Sequence, residues 1–297
     1  MHRSREWSGL PVIRSGSLAW MLTTLLVITV SLDPTAALAE TPMQLRGALQ
    51  TGRTVGVVAH RGAAAHAPEN TLAAFELAIS NEGTDFVETD VQLTADGVPV
   101  LMHDPDLDRT TNGTGPLASR TLAEIRELDA GSWFDERFRG ERVPTFEEFV
   151  DLLGPAPVRA YVELKGPWPQ ERVAEVVELL RARSLSNRIV LASFERDTVQ
   201  AVRELGPEFA VILQTRKLDA STVDFAVGLQ LSGVCARDKL LRQHPAALQT
   251  LREAGIGAFA YTLNSRGQWQ QGQDLGIDFF ITDDPPALVA WRDDDSN

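Results

Sequence analysis

The sequence predicts an α/β protein built as a (β/α)8 TIM barrel with a small insertion after its second strand unit. Three observations predict this. Short apolar runs alternate with helix-period patterns, the mark of a parallel sheet with helical crossovers. The strand candidates number eight, the count that closes such a barrel. No Gly-x-Gly-x-x-Gly follows the first of them, which argues against an open dinucleotide-binding sheet.

In chain order, the first strand is read over 54–59 and a helix over 70–80. Phe86, Val87, Val91 and Leu93 mark the second strand, 85–93, and Val98, Val100 and Leu101 a further arm over 98–102. Asp96-Gly97 between them is a two-residue turn signal. A tight turn there pairs 93 with 100 and 90 with 103, so the hairpin 85–103 sets Asp90 opposite His103. Glu88 shares Asp90's face, because strand side chains alternate. The stretch that follows, about 104–144, far exceeds a βα loop of about 2–6 residues. The pair Trp133-Phe134 and a helical stretch at 121–128 read as a folded insertion capping a pocket. Later strands are read at 157–164, 188–193, 208–213, 228–234, 256–262 and 277–281. Helices are read at 145–153, 169–183, 196–205, 243–254, 265–274 and 284–291, and 218–227 has no clear assignment.

The N-terminus reads as an export signal. Arg3, Arg5 and Arg14 precede the uncharged stretch Leu18 to Leu32, and Ala37-Leu38-Ala39 fits a cleavage site. The apolar run is short for a membrane span of about 20 residues. The expected organisation is a signal peptide, 1–39, then a single domain, 40–297, in an exported protein, periplasmic or secreted, without a stable span after cleavage. The net charge of −13 opposes general binding to nucleic acid or anionic membranes, so an anionic ligand needs local cations or a metal. Cys235 is the sole cysteine, so no internal disulfide forms and the core alone holds the fold.

The unusual residues fall at strand C-termini, the ends that gather at the active-site face of a barrel. His60-Arg61 follows the first strand; Glu88, Asp90 and His103 lie in the second unit; Glu163-Leu-Lys165 ends the third strand. Any one of these is read most simply as a solvated charge or a helix cap, as Asn70 and Asp283 are. Together they form a chemical set. Glu88, Asp90 and Glu163 are hard oxygen ligands that repel one another unless a cation joins them, and Ca²⁺ or Mg²⁺ suits such donors better than Zn²⁺. His60 and His103 titrate near neutral pH and supply a base and an acid. Arg61 and Lys165 suit an anion such as phosphate. Of the other histidines, His66 is read as structural or at the pocket edge and His244 as exposed. No Gly-x-Ser-x-Gly, Walker loop or His-Glu-x-x-His occurs.

These residues stand in a recognisable order: His60-Arg61-Gly62, Pro68-Glu69-Asn70-Thr71, Glu88-x-Asp90, Asp96-Gly97, His103-Asp104, Arg109-Thr110-Thr111, Glu163-x-Lys165 and Thr282-Asp283. From about residue 55 to 290 the chain resembles the glycerophosphodiester phosphodiesterase family. The resemblance implies hydrolysis of a small-molecule glycerophosphodiester to sn-glycerol 3-phosphate and an alcohol. It implies His60 and His103 as the acid/base pair, one divalent metal on Glu88, Asp90 and Glu163, and Arg61 and Lys165 on the phosphate, with the insertion at the glycerol end. Where the family has Trp-Thr-x-Asn, this chain has Tyr261-Thr262-Leu263-Asn264, a smaller aromatic in the pocket wall. The same site chemistry serves an alternative, phospholipase-D-like hydrolysis of lysophospholipids or sphingomyelin.

Overall fold

A computed structural model describes residues 55–294. The signal-peptide reading and the lead-in over 40–53 lie outside the described residues. The strands are β1 (Gly56–Ala59), β2 (Phe86–Leu93), β3 (Pro99–Leu101), β4 (Arg159–Leu164), β5 (Ile189–Ser193), β6 (Ala210–Thr215), β7 (Gly233–Arg237), β8 (Gly257–Tyr261) and β9 (Phe279–Thr282). Among the described residues, eight of these are parallel in the order β1-β9-β8-β7-β6-β5-β4-β2, and β1 pairs with β2 to close the barrel. β3 runs antiparallel along the C-terminal half of β2.

Alternation along each strand sorts the core into two layers. Val58, Phe86, Tyr161, Ile212, Cys235 and Phe259 fill the barrel interior. Their neighbours in the chain, such as Val57, Val87, Val162, Val211 and Val234, pack outward against the helices. Both faces are therefore apolar low in the barrel, as parallel strands require. Two residues further on, the inward positions turn polar: His60, Glu88 and Asp90, Glu163 and Lys165, Gln214 and Arg216, Arg237 and Tyr261 all line the cavity at the mouth.

The hairpin departs from its predicted register. Leu93 pairs with Pro99 and Val91 with Leu101, one residue short of the tight-turn pairing. The turn is longer because the amide of Thr94 donates to Val98 O and the Thr94 hydroxyl accepts from Val98 N. Gly97 takes the left-handed conformation that this loop needs (φ 79°). Asp90 therefore faces Met102, whose amide donates to Asp90 O at 3.0 Å. A one-residue slip ordinarily turns a side chain to the other face. His103 escapes this because β3 ends at Leu101 and the chain bends. The Gln92 amide group donates to Met102 O (2.8 Å) and Asp104 O (2.7 Å), holding that bend.

Two further expectations shift. The strand expected at 228–234 starts at Gly233, because the helix Ala220–Gly228 runs on and buries Val223 and Ala226 at helical spacing. The helix expected at 243–254 is two helices, Asp238–Gln243 and Pro245–Glu253, broken at His244 ahead of a proline at the first helical position.

The insertion is folded, with its own core of Met102, Leu107, Leu117, Ile125 and Val143 packed on Val100. Its helix is shorter than expected, Leu122–Ile125, and starts with a capping box between Thr121 and Glu124. The two ends of the insertion meet at a neck: Leu101 N donates to Pro144 O at 2.9 Å, and Val100 bridges to Thr145.

Candidate active site

All seven residues singled out in the sequence line one cavity of about 210 Å³ at the C-terminal mouth of the barrel. A wider space of about 440 Å³ adjoins it and shares His60 and Arg61.

Glu88, Asp90 and Glu163 are buried, and each offers an oxygen within 4.8 Å of the others. β2 and β4 cause this, since their pairing puts Asp90 beside Glu163 and Glu88 beside Tyr161. Burial and the charge of Asp90 push Glu88 well above the ordinary carboxylate range. The same two causes push Glu163 up to about 7. Burial also acts on Asp90, but the neighbouring Lys165 and Arg61 charges outweigh it and hold the group low. Lys165 Nζ donates to Asp90 Oδ1 (3.1 Å) and Glu163 Oε1 (3.0 Å).

Arg61 acts twice. Its backbone is left-handed (φ 53°), a strain of about 1–3 kcal/mol for a residue with a side chain. That conformation aims its amide at Glu88 Oε2, 2.7 Å away. Its guanidinium donates to Glu69 Oε1 (2.7 Å), and its Nε lies 3.2 Å from Asp90 Oδ2 without hydrogen-bond alignment.

Both histidines are held through Nδ1. That atom is 2.6 Å from Asp283 Oδ1 in His60 and 2.7 Å from Asp104 Oδ1 in His103. A carboxylate at Nδ1 assigns the proton there and leaves Nε2 as the reactive nitrogen. Burial lowers the His103 pKa, partly offset by Asp90, so its neutral form is favoured.

Several functional groups had no assigned role in the sequence. Asn70 is no helix cap: Thr71 caps the helix Leu72–Ser80. The Asn70 side chain instead donates to Asp90 Oδ2 (2.9 Å) and accepts from Thr89 Oγ1 (2.9 Å) and Asp90 N (3.3 Å). Asp283 likewise holds His60 and accepts from Asn264 Nδ2. Arg109 grips Glu69 and Asp104 together, with four donor contacts between 2.6 and 3.1 Å. A continuous chain of charge therefore runs Arg61–Glu69–Arg109–Asp104–His103. The signal for Glu69 and Arg109 was their place in the ordered motifs, and for Arg216 and Arg237 their inward parity on the strands. His66 sits apart at the rim, its Nε2 3.1 Å from Asp284 Oδ1. His244, expected to be exposed, is half-buried with Nδ1 2.9 Å from Leu240 O.

Fold and mouth together define a barrel enzyme whose charged groups gather at one end of the strands. The model of the glycerophosphoryl diester phosphodiesterase family matches residues 60–287, and the chain belongs to that family. It is 32% identical over 239 residues to the glycerophosphodiester phosphodiesterase of Caldanaerobacter subterraneus, covering 78% of this chain and 96% of that one. A Bacillus subtilis glycerophosphodiester phosphodiesterase is 32% identical over 257 residues, 81% of this chain and 87% of that one. Among solved structures, an Oleispira antarctica phosphodiesterase in complex with the product sn-glycerol-3-phosphate superposes with a TM-score of 0.74 at 30% identity. The match covers 80% of this chain and 96% of that one. A glycerophosphodiester phosphodiesterase from Agrobacterium tumefaciens gives 0.69 at 32% identity, covering 80% and 99%.

Proposed function

We propose that this enzyme hydrolyses glycerophosphodiesters to sn-glycerol 3-phosphate and an alcohol, with one divalent cation, Ca²⁺ or Mg²⁺, held by Glu88, Asp90 and Glu163. One observation carries the reading: three buried carboxylates converge within 4.8 Å, and two of them are driven toward the neutral form. All-oxygen donors of this kind fit a hard cation, which restores the ionised form of each. Such a cation, when bound, neutralises charge on the phosphate oxygens and lowers the pKa of coordinated water.

The chain's own groups supply the remainder. Arg61 and Lys165, fixed beside Asp90, contribute positive charge where the phosphate of the diester lies. Of His60 and His103, one takes the proton from the attacking oxygen through Nε2. The other gives a proton to the leaving alcohol oxygen as its bond to phosphorus breaks. Asp283 and Asp104 fix the ring orientation of each and steady the imidazolium that forms on the base. A location outside the cytoplasm, periplasmic or secreted, is part of the same proposal, supported by the signal pattern over 1–39.

The test is release of glycerol 3-phosphate from glycerophosphocholine and glycerophosphoglycerol, with Ca²⁺ or Mg²⁺ and then with chelator, beside a micellar lysophospholipid. His60→Ala and His103→Ala should each lower kcat by about 10²–10⁴. Activity that survives chelation removes the metal from the reading. Activity that survives both substitutions removes the acid/base pair, and faster cleavage of the lysolipid transfers the site to the other substrate class.

A further inference from the structure

Arg61 and Lys165 are committed to carboxylates, but the mouth carries two more arginines that are not. Arg216 follows β6 directly, and Arg237 is the last residue of β7, paired in register with Tyr261. Both occupy inward positions, in line with Ile212 and Gln214 on one strand and Cys235 on the next, and both line the cavity. They are the same step up their strands as Lys165 is above Glu163. Yet among the described residues neither makes an ion pair. Asp238, next to Arg237 in the chain, is taken by Arg242 at 3.1 Å, and Asp219, three residues past Arg216, caps the helix Ala220–Gly228. A protein with a net charge of −13 therefore places two uncompensated guanidinium groups on one side of its active-site rim.

The aromatic groups beside them narrow the ligand. Phe194 and Tyr261 meet edge to face, with centroids 6.4 Å apart, and look suited to a quaternary ammonium. The Phe194 ring is already occupied: the Arg216 guanidinium lies 4.1 Å from its centroid. A choline or ethanolamine arriving there finds the ring covered and two like charges in place. An anionic group finds two planar donors able to grip its oxygens in pairs.

We propose that Arg216 and Arg237 receive an anionic group on the leaving alcohol, so that the preferred substrates are glycerophosphodiesters whose head group carries a second negative charge. The proposal rests on the hydrolytic reading above and goes beyond it in naming the head-group class. The diester phosphate lies toward the carboxylates, on the β2 and β4 side. The rim at β6 and β7 is then reached by one of its ester arms. Phe194, with the Arg216 guanidinium over its ring, is a preset platform for that arm, so little ordering remains to be done on binding.

The experiment compares kcat/KM for glycerophosphoinositol 4-phosphate, glycerophosphoinositol and glycerophosphocholine, the first pair differing by a single phosphate group. The wild-type enzyme should favour the 4-phosphate over the parent by about tenfold, the scale of two solvent-open charge pairs, and the preference should shrink as salt rises. Arg216→Ala with Arg237→Ala should bring the ratio to about one, through a loss on the 4-phosphate that exceeds any loss on the parent compound. Arg216→Glu with Arg237→Glu should reverse the order and favour glycerophosphocholine, a gain that a misfolded variant cannot produce. Equal losses on all three substrates would instead assign the arginines to the shared phosphoglycerol and overturn the proposal. A wild-type ratio at or below one would also overturn it while leaving the hydrolytic reading intact. Failure to cleave any of the three would overturn both.

Discussion

Replacing Asn70 is the sharpest probe of how the carboxylate cluster is held. Asn70 is 3% exposed, and its amide joins Asp90 to Thr89. Asn70→Ala removes a hydrogen bond to a buried charged acceptor, about 1.5–3 kcal/mol, and strands the Thr89 hydroxyl, about 1–3 kcal/mol. Asn70 also sits at φ 56°, where alanine is less tolerated than asparagine by about 1 kcal/mol. The expected loss is about 3.5–7 kcal/mol in the metal-free protein, measured by urea unfolding followed by circular dichroism. Asn70→Gly breaks the same bonds without the backbone strain and should cost about 1 kcal/mol less than the alanine variant. Both should weaken Ca²⁺ or Mg²⁺ binding by about 10–100-fold, because Asp90 loses the donor that orients it. A loss under about 1 kcal/mol for Asn70→Ala, with cation affinity unchanged, would show that Asp90 is held by Lys165 and Arg61 alone and refute the reasoning.

The pH dependence of the metal-free protein follows from Glu163. Its folded pKa, raised to about 7, lies above its ordinary value of 4.5, so the folded state holds the proton more tightly. The stability this brings is full below 4.5 and is lost as pH climbs through about 7. Asp90, Asp104 and Asp283 are lowered, so their stabilising contributions are lost only as pH falls below this window. Melting temperature in chelator should therefore fall across the window and level out with saturating cation; a rise in chelator would contradict the assignment. Gln92→Leu should lower kcat by about 10–100-fold while leaving cation-induced thermal stabilisation unchanged, because the bend at 102–104 aims His103 but does not touch the carboxylates. Equal loss of both readouts would place Gln92 in the cation site itself.

The barrel and the gathering of His60, Glu88, Asp90, Glu163 and Lys165 in one cavity were legible because each lies on a periodic strand or just beyond one, where parity decides direction; Arg61 and His103 join them through a left-handed backbone and a bend that parity does not supply. The hairpin register was not, since Asp96-Gly97 serves a two-residue turn and a longer loop equally well, and only the Thr94 hydroxyl bonding to Val98 N decides between them. Asn70 and Asp283 read as caps because short polar residues before a helix usually are; their true partners, Asp90 and His60, are 20 and 223 positions away in the chain. The link from Glu69 to Arg109 spans 40 positions and has no local signature. Leu229 and Leu231 are apolar whether helix or strand surrounds them, which is why β7 begins later than its pattern suggested.

The neck of the insertion has a consequence for how members of this family can diverge. Because Leu101 and Pro144 are hydrogen-bonded to each other, the segment between them leaves and re-enters the barrel at a single point. Its ends stay together whatever its length, and lengthening such a loop adds only about 0.6 kcal/mol for each doubling. The segment has its own core, so its sequence is constrained by Leu107, Leu117 and Ile125 rather than by the strands beneath. His103, Asp104 and Arg109 at its start belong to the site; past them the segment is an interchangeable cassette, which can be exchanged for another of different size and surface while β2 continues to present Glu88 and Asp90 unchanged.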